Sequence, residues 1–182
     1  YSPLGRVLKT SFALTLGQLL ARGRAVLYIN MEEFSGFEEL FHKEFSHTLS
    51  DLLYYIRQEN GRAAHQLPSM VVTVNNLDVL PPVATPQDIW ETPFEQWEKM
   101  LDGLLLHSTY EVIILDLGQG VDGWCRLLER CQKVYMPVLD DLISQGKIQQ
   151  FERLLRMWEQ GGLLDKIQKV KPPFHGSFGE GA

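Results

Sequence analysis

Apolar residues recur along the chain at two alternating spacings. From Leu8 to Ala21, the positions Leu8, Phe12, Leu16, Leu19 and Leu20 follow helical spacing, and Gly23 stands just beyond as a stop. Ala25–Ile29 is then a short continuous apolar run of the buried-strand type. Phe37 to Phe45 and Leu49 to Arg57 read as helices, and Asn60-Gly61 breaks the chain after them. Met70–Val74 reads as a second strand, closed by Leu80-Pro81-Pro82. Thr92-Pro93-Phe94-Glu95 has the form of a capping box with proline at the first helical position. It predicts a helix through Leu105 with Phe94, Trp97, Leu101, Leu104 and Leu105 facing inward. Tyr110–Leu115 is the clearest strand and runs into Asp116. A helix from Trp124 to Arg130, a strand Val134–Met136 and a long helix to Glu159 follow. Gly161-Gly162 is expected to end that helix, and Ile167–Val170 reads as a last strand before Pro172-Pro173.

Strands thus alternate with amphipathic helices, and the strands lack the in/out alternation of a sheet wetted on one side. That combination predicts an α/β fold of three layers, a mostly parallel sheet with helices on both faces. The runs near Ala25–Ile29, Met70–Val74, Tyr110–Leu115 and Lys133–Met136 are expected to lie parallel in one sheet. A length of 182 residues suits one domain. The chain opens on Tyr1-Ser2-Pro3 and ends in the loose stretch Gly176–Ala182, so residues 1–182 read as a single domain cut from a longer protein.

Composition removes several classes. Hydrophobic residues make up 45% and charged residues 22%, which is globular and not disordered. The 17 basic residues are outnumbered by 23 acidic ones, for a net charge of −6, and no Lys/Arg block is dense enough to track phosphates. Direct nucleic-acid binding is therefore not expected. The two cysteines, Cys125 and Cys131, lie in a helical segment on different faces and make neither a disulfide framework nor a zinc site. A reducing cytoplasm fits them best. No run of about 18 apolar residues is present, so no transmembrane segment is expected.

In an open parallel sheet, ligands bind at the carboxyl ends of the strands. The first helix is preceded by Ser2-Pro3-Leu4-Gly5-Arg6-Val7-Leu8-Lys9-Thr10-Ser11. Lys9-Thr10 opening a helix is the back half of a Walker A loop, in which backbone N–H groups surround phosphates, the lysine reaches the β/γ oxygens and the threonine hydroxyl ligates Mg²⁺. The front half departs from the motif: its first and last glycines would fall on Pro3 and Leu8, and Gly5 is the glycine that remains. Glycine is used there because backbone must crowd a phosphate or take positive φ. A plain helix start with a solvated lysine is the other reading of the same residues.

This stretch resembles the deviant Walker A loop of the MinD/ParA ATPases, nearest their CpaE-like branch, whose loop opens on Ser-Pro. Two further landmarks fall in the family's order. The run Val26–Ile29 leads into Asn30-Met31-Glu32, where the family has Asp-x-Asp, and Val112–Leu115 ends on Asp116 at the place of the Walker B aspartate. Tyr135-Met136-Pro137 is similar to the family's strand leading into Thr-x-Pro, and Leu49–Leu53 and Leu77–Pro81 are similar to connecting segments of the CpaE-like branch. The resemblance runs from Ser2 to about Phe174 and implies a P-loop NTPase-like fold that binds ATP and Mg²⁺. It implies nucleotide contacts at Gly5, Arg6, Lys9, Thr10 and Ser11, metal ligation by Thr10 and Asp116, and catalytic roles for Glu32 and Asp116. The family's cross-dimer lysine would fall on Leu4 and is absent; Arg6 is a nearby cation that either substitutes for it or is simply solvated. Asn30 lacks the charge of the aspartate it replaces, and Glu32 is one methylene longer than its counterpart.

Other signals carry less. The five histidines show no ligand spacing such as H-x-x-x-H, and no G-x-S-x-G elbow is present. The glycines from Gly176 to Gly181 read as tail, and Asp140-Asp141 as a complement to a helix dipole. Phe34 and Phe37 flank Gly36 in the loop after Glu32, either as packing residues or as a partner contact. The resemblance implies a nucleotide-dependent switch or positioning protein, a homodimer with a further protein partner, and hydrolysis that is slow or absent. The alternative is a pseudo-ATPase that binds no nucleotide and serves as an interaction scaffold. A small-molecule metabolic enzyme on the same fold has no substrate-site signal.

Overall fold

The computed structural model of the chain describes residues 1–58 and 63–172; Asn60-Gly61, Pro173 and the Gly176–Ala182 tail lie outside the described residues. The chain divides into two compact units, one of Thr10–Gln132 and one of Tyr1–Lys9 with Lys133–Ala182.

The larger unit contains α1 (Lys9–Leu20, entered at Thr10), β1 (Val26–Met31), α2 (Phe37–Phe41), α3 (Leu49–Arg57), α4 (Ala63–Met70), β2 (Val72–Val74), β3 (Leu77–Leu80), α5 (Pro86–Trp90), α6 (Phe94–His107), β4 (Val112–Leu117) and α7 (Trp124–Arg130). Its sheet has the order β2-β3-β1-β4, with β1 parallel to both β3 and β4. All six residues of β1 are buried, as a strand covered on both faces requires. One face is covered by a cluster in which Ala13 of α1, Ala21 just after it and Phe37 of α2 meet Val26, Tyr28, Leu77 and Val79. On the other side, α3, α4 and α6 pack on one another, and α3 also reaches β1.

Several expectations are corrected here. The Met70–Val74 run is not a parallel strand: Met70 ends α4, and β2 pairs antiparallel with β3. The cause is the two-residue turn Asn75-Asn76, with φ of 48° and 67°, the left-handed geometry that lets a tight hairpin match strand twist. Helix α1 turns small residues as well as leucines to the sheet, with Leu14 and Leu20 packed against the same cluster. Its buried residues are Ala13 and Gly17, while Leu19 is 53% exposed. A Cβ on Gly17 would stand 2.9 Å from the Leu77 side chain, so a larger residue there requires that side chain to shift. Leu105 is 67% exposed and does not face inward.

The capping box also fails. Pro93 is the N-cap of α6, with no side-chain cap, and the first free N–H, that of Phe94, donates to Asp122 Oδ2 at 2.9 Å. Thr92 instead donates to the Asp88 carbonyl and accepts from Arg57.

The smaller unit holds β5 (Val134–Pro137), α8 (Leu142–Met157), α9 (Gly161–Lys166) and β6 (Ile167–Val170). β5 pairs with β6 in parallel in a two-stranded sheet, where one sheet including Lys133–Met136 was expected. Asp141 caps α8, its carboxylate accepting from Ser144 N at 2.9 Å. Gly161-Gly162 opens α9 and does not end α8; the reversal falls on Glu159, at φ 58°.

Candidate functional site

The period of a strand decides which side chains meet. Tyr28 and Asn30 lie two apart on β1 and Glu32 follows two beyond, so all three project from one face. In the parallel ladder Asn30 is in register with Asp116 of β4, which sets that carboxylate beside them. The start of α1 brings Thr10 to the same place. The Thr10 hydroxyl lies 2.7 Å from Asp116 Oδ2 and 3.0 Å from Glu32 Oε2. Tyr28 donates to Asp116 Oδ2 at 2.8 Å, Asn30 Nδ2 donates to the Tyr28 hydroxyl at 3.1 Å, and the Glu32 backbone N–H donates to Asn30 Oδ1 at 3.1 Å.

Burial shapes the electrostatics. Tyr28 and Asn30 are fully buried and Asp116 nearly so, while Glu32 is half-buried. Burial, and then the charge of Asp116, holds the Tyr28 phenol well above its ordinary pKa, so it stays a proton donor. Thr10 has one proton facing two carboxylates. A hydroxyl and two carboxylates within about 3 Å offer only hard oxygens, the donor set that suits Mg²⁺ completed by waters and phosphate. The residues therefore fit the ion: Thr10 and Asp116 would hold it.

The other expected contacts lie at or before the start of α1. Lys9 is its first residue and is half-buried, and Ser11 is exposed in its first turn. In the loop before it, Ser2 is buried and donates to the Pro137 carbonyl at 2.8 Å, which ties the loop's entry to the end of β5. The left-handed conformations fall on Arg6 (φ 56°) and Leu8 (φ 53°), whereas Gly5 takes no positive φ and has open space around it. Leu8 thus adopts the backbone usually reserved for the glycine it replaces. A left-handed residue followed by a helix start turns successive N–H groups toward one concavity, an anion-binding arrangement.

A second junction was not foreseen from the sequence. Past the ends of β1 and β4 the chain segments bond to each other: Gly118 N donates to the Met31 carbonyl at 3.0 Å and Gly120 N to Glu33 Oε1. A Cβ on Gly118 would stand 2.6 Å from both the Met31 carbonyl oxygen and Glu33 Oε2. Gly118-x-Gly120, one residue beyond Asp116, was the available signal, and Tyr28 was signalled by standing two residues before Asn30 on one strand face.

No family model matches the sequence, and no curated protein matches it. Solved structures do. A ParA family ATPase from Chlorobium tepidum superposes with a TM-score of 0.75 at 20% identity, over 93% of this chain and 70% of that one. The fold is that of the ParA and MinD ATPases. The MinD cell division protein of Aquifex aeolicus gives a TM-score of 0.66 at 20% identity, over 93% of this chain and 66% of that one. A McdA variant from Cyanothece in complex with ATP gives 0.67 at 16% identity, over 94% of this chain and 67% of that one. The mostly parallel α/β architecture expected from the strand–helix alternation is therefore the one observed, apart from the β2–β3 hairpin. Among the described residues, no helix is long and apolar enough to cross a membrane.

Proposed function

We propose that the chain is the nucleotide-binding core of a MinD/ParA-type switch or positioning protein, nearest the CpaE-like branch, which binds ATP with Mg²⁺ and hydrolyses it slowly or not at all. The observation that carries the reading is the meeting of Thr10, Asp116 and Glu32 at the first turn of α1. On a ParA/MinD fold, a threonine hydroxyl and a strand-end aspartate at a helix start are what an Mg²⁺-nucleotide site needs. The fold neighbour solved with ATP supports the choice of ligand. Phosphate would sit on the N–H groups leading into α1, with Lys9 reaching its oxygens; Gly5, Arg6 and Ser11 flank it. Mg²⁺, when bound, would neutralise charge on the β/γ-phosphates. Glu32 would orient water, with its extra methylene displacing it from the aspartate position. The same proposal includes homodimerisation, a further protein partner and a cytoplasmic setting.

Binding of Mg·ATP to the folded protein, followed by titration calorimetry, tests the reading. Binding should raise stability by roughly 2.7 kcal/mol at a hundredfold excess over Kd. Lys9→Ala should abolish it, because charge-assisted contacts to phosphate are lost. Unchanged affinity in Lys9→Ala would place the ligand elsewhere. No binding by the wild type would favour the scaffold reading, for which the leucine at position 8 speaks.

A further inference from the structure

Asn30 occupies the place of a family aspartate, and by composition alone it looks like a lost charge. The hydrogen bonds give it a different role. The Glu32 backbone N–H, which can only donate, donates to Asn30 Oδ1 and so fixes which way round the amide lies. Asn30 Nδ2 is thereby turned to the Tyr28 hydroxyl as a donor. A phenol that accepts there has its one proton left for Asp116 Oδ2, 2.8 Å away. Each bond in the series sets the polarity of the next. Tyr28 itself is fully buried and held by its ring, which stacks on Phe37 at 5.9 Å and 11°.

We propose that Asn30 and Tyr28 are positioning residues: a one-way hydrogen-bond relay from the Glu32 backbone to Asp116 that holds the carboxylate oriented for Mg²⁺. The inference rests on the reading of Asp116 as the residue that orders Mg²⁺ beside nucleotide. Thr10 donates to the same Oδ2, and to serve a cation its hydroxyl must turn its lone pairs outward. Tyr28 is then a donor that still holds Asp116 Oδ2 in place. An aspartate at position 30 would do the opposite of restoring the site. It offers no donor to Tyr28 and competes with Asp116 for the single phenol proton.

The test measures ATP affinity of the full chain by calorimetry, in saturating Mg²⁺ and again in EDTA. The relay requires that Tyr28→Phe weaken binding in Mg²⁺ by about 10–100-fold, the usual effect of losing an outer-shell partner. Affinity in EDTA should stay within about twofold, because the positioning matters only for the ion. Asn30→Asp should likewise weaken binding in Mg²⁺. An Asn30→Asp protein that binds Mg·ATP as tightly as the wild type, or more tightly, overturns the relay, since a merely eroded charge predicts recovery. Equal losses in Mg²⁺ and EDTA also overturn it, because they show general damage. Should either variant fold poorly, the wild-type side-chain amide of Asn30 supplies the readout by NMR: its resonances should shift with ATP in Mg²⁺ and stay in place with ATP in EDTA. Absence of a shift counts against the relay. A wild-type protein with no Mg²⁺-dependent ATP binding refutes the underlying nucleotide reading, and the relay with it; failure of the variants alone refutes only the relay.

Discussion

Replacing Leu8 by glycine and by alanine in parallel isolates the backbone from the side chain. Leu8 is 46% exposed, so removing its side chain costs about 1 kcal/mol, roughly half the value of a fully buried leucine. That loss is common to both variants and cancels between them. What differs is the conformation: φ at residue 8 is 53°, and a left-handed backbone costs an L-residue roughly 1–2 kcal/mol that glycine does not incur. Against this, glycine adds unfolded-state entropy worth about 0.4–1 kcal/mol. The glycine variant should therefore be the more stable of the two by about 0.5–1 kcal/mol, roughly 1–4 °C in Tm for a chain of this size. At a position of ordinary φ the order is reversed. Thermal unfolding by circular dichroism gives the comparison directly, and the same pair at Arg6, with φ 56°, is an internal repeat. Alanine above glycine at both positions would show that the loop does not hold these angles and would remove the concavity argued from them. A nucleotide titration extends the test, since Leu8→Gly should tighten binding by freeing the approach to phosphate.

Gly118→Ala should destabilise the protein by about 1–3 kcal/mol in denaturant titration, because its Cβ would meet the Met31 carbonyl at 2.6 Å. Asp122→Ala should cost about 1 kcal/mol, the worth of an N-cap, by leaving Phe94 N–H at the start of α6 without its acceptor. Asp141 has its pKa lowered by hydrogen bonds from Ser144, side chain first and then backbone. Its contribution is present above the unfolded carboxylate pKa of about 3.9 and lost as pH falls through the lower folded value. Asp141→Asn should flatten that acid limb of the stability–pH curve, and an unchanged limb would refute the assignment. If the proposed function holds, phosphate release should stay below about 1 s⁻¹, since on the resemblance Leu4 falls at the family's cross-dimer lysine and losing one well-placed electrostatic contact commonly costs about 10²–10³ in rate. Faster turnover that disappears in Lys9→Ala would defeat the slow-hydrolysis reading.

The parts of this fold that were legible in the sequence are those governed by one local rule. Leu49–Arg57 and Trp124–Arg130 were bounded to the residue, and most of β1 was visible as the apolar run Ala25–Ile29, one residue early and two short of the strand's end. The hairpin was missed because Asn75-Asn76 was not weighed as a turn, although asparagine is the residue after glycine that best tolerates positive φ. The face of α1 was legible only in part: Leu20 packs on the cluster while Leu19 is exposed, and the fully buried positions are Ala13 and Gly17, whose nearness to Leu77 no periodicity reports. At the site, the motif order pointed to Thr10, Glu32 and Asp116, and they converge. Tyr28 escaped because it belongs to no motif. It acts through strand register and a hydrogen bond, and neither is visible until two strands are aligned.

Two of the glycine-demanding places among the described residues, positions 8 and 118, set different limits on mutational drift. At residue 8 the demand is torsional, confined to one backbone angle and surrounded by enough solvent for a leucine to satisfy it at the cost of roughly 1–2 kcal/mol. Such a position can lose its glycine and wait for compensation elsewhere. At residue 118 the demand is steric and involves a second segment of main chain, so any Cβ must displace the Met31 carbonyl together with the end of β1. No side-chain adjustment absorbs that. A lineage of such chains can therefore wander through the loop before α1 while remaining fixed just past Asp116, and a library of variants selected only for folding should show the same asymmetry, varied at 8 and glycine at 118.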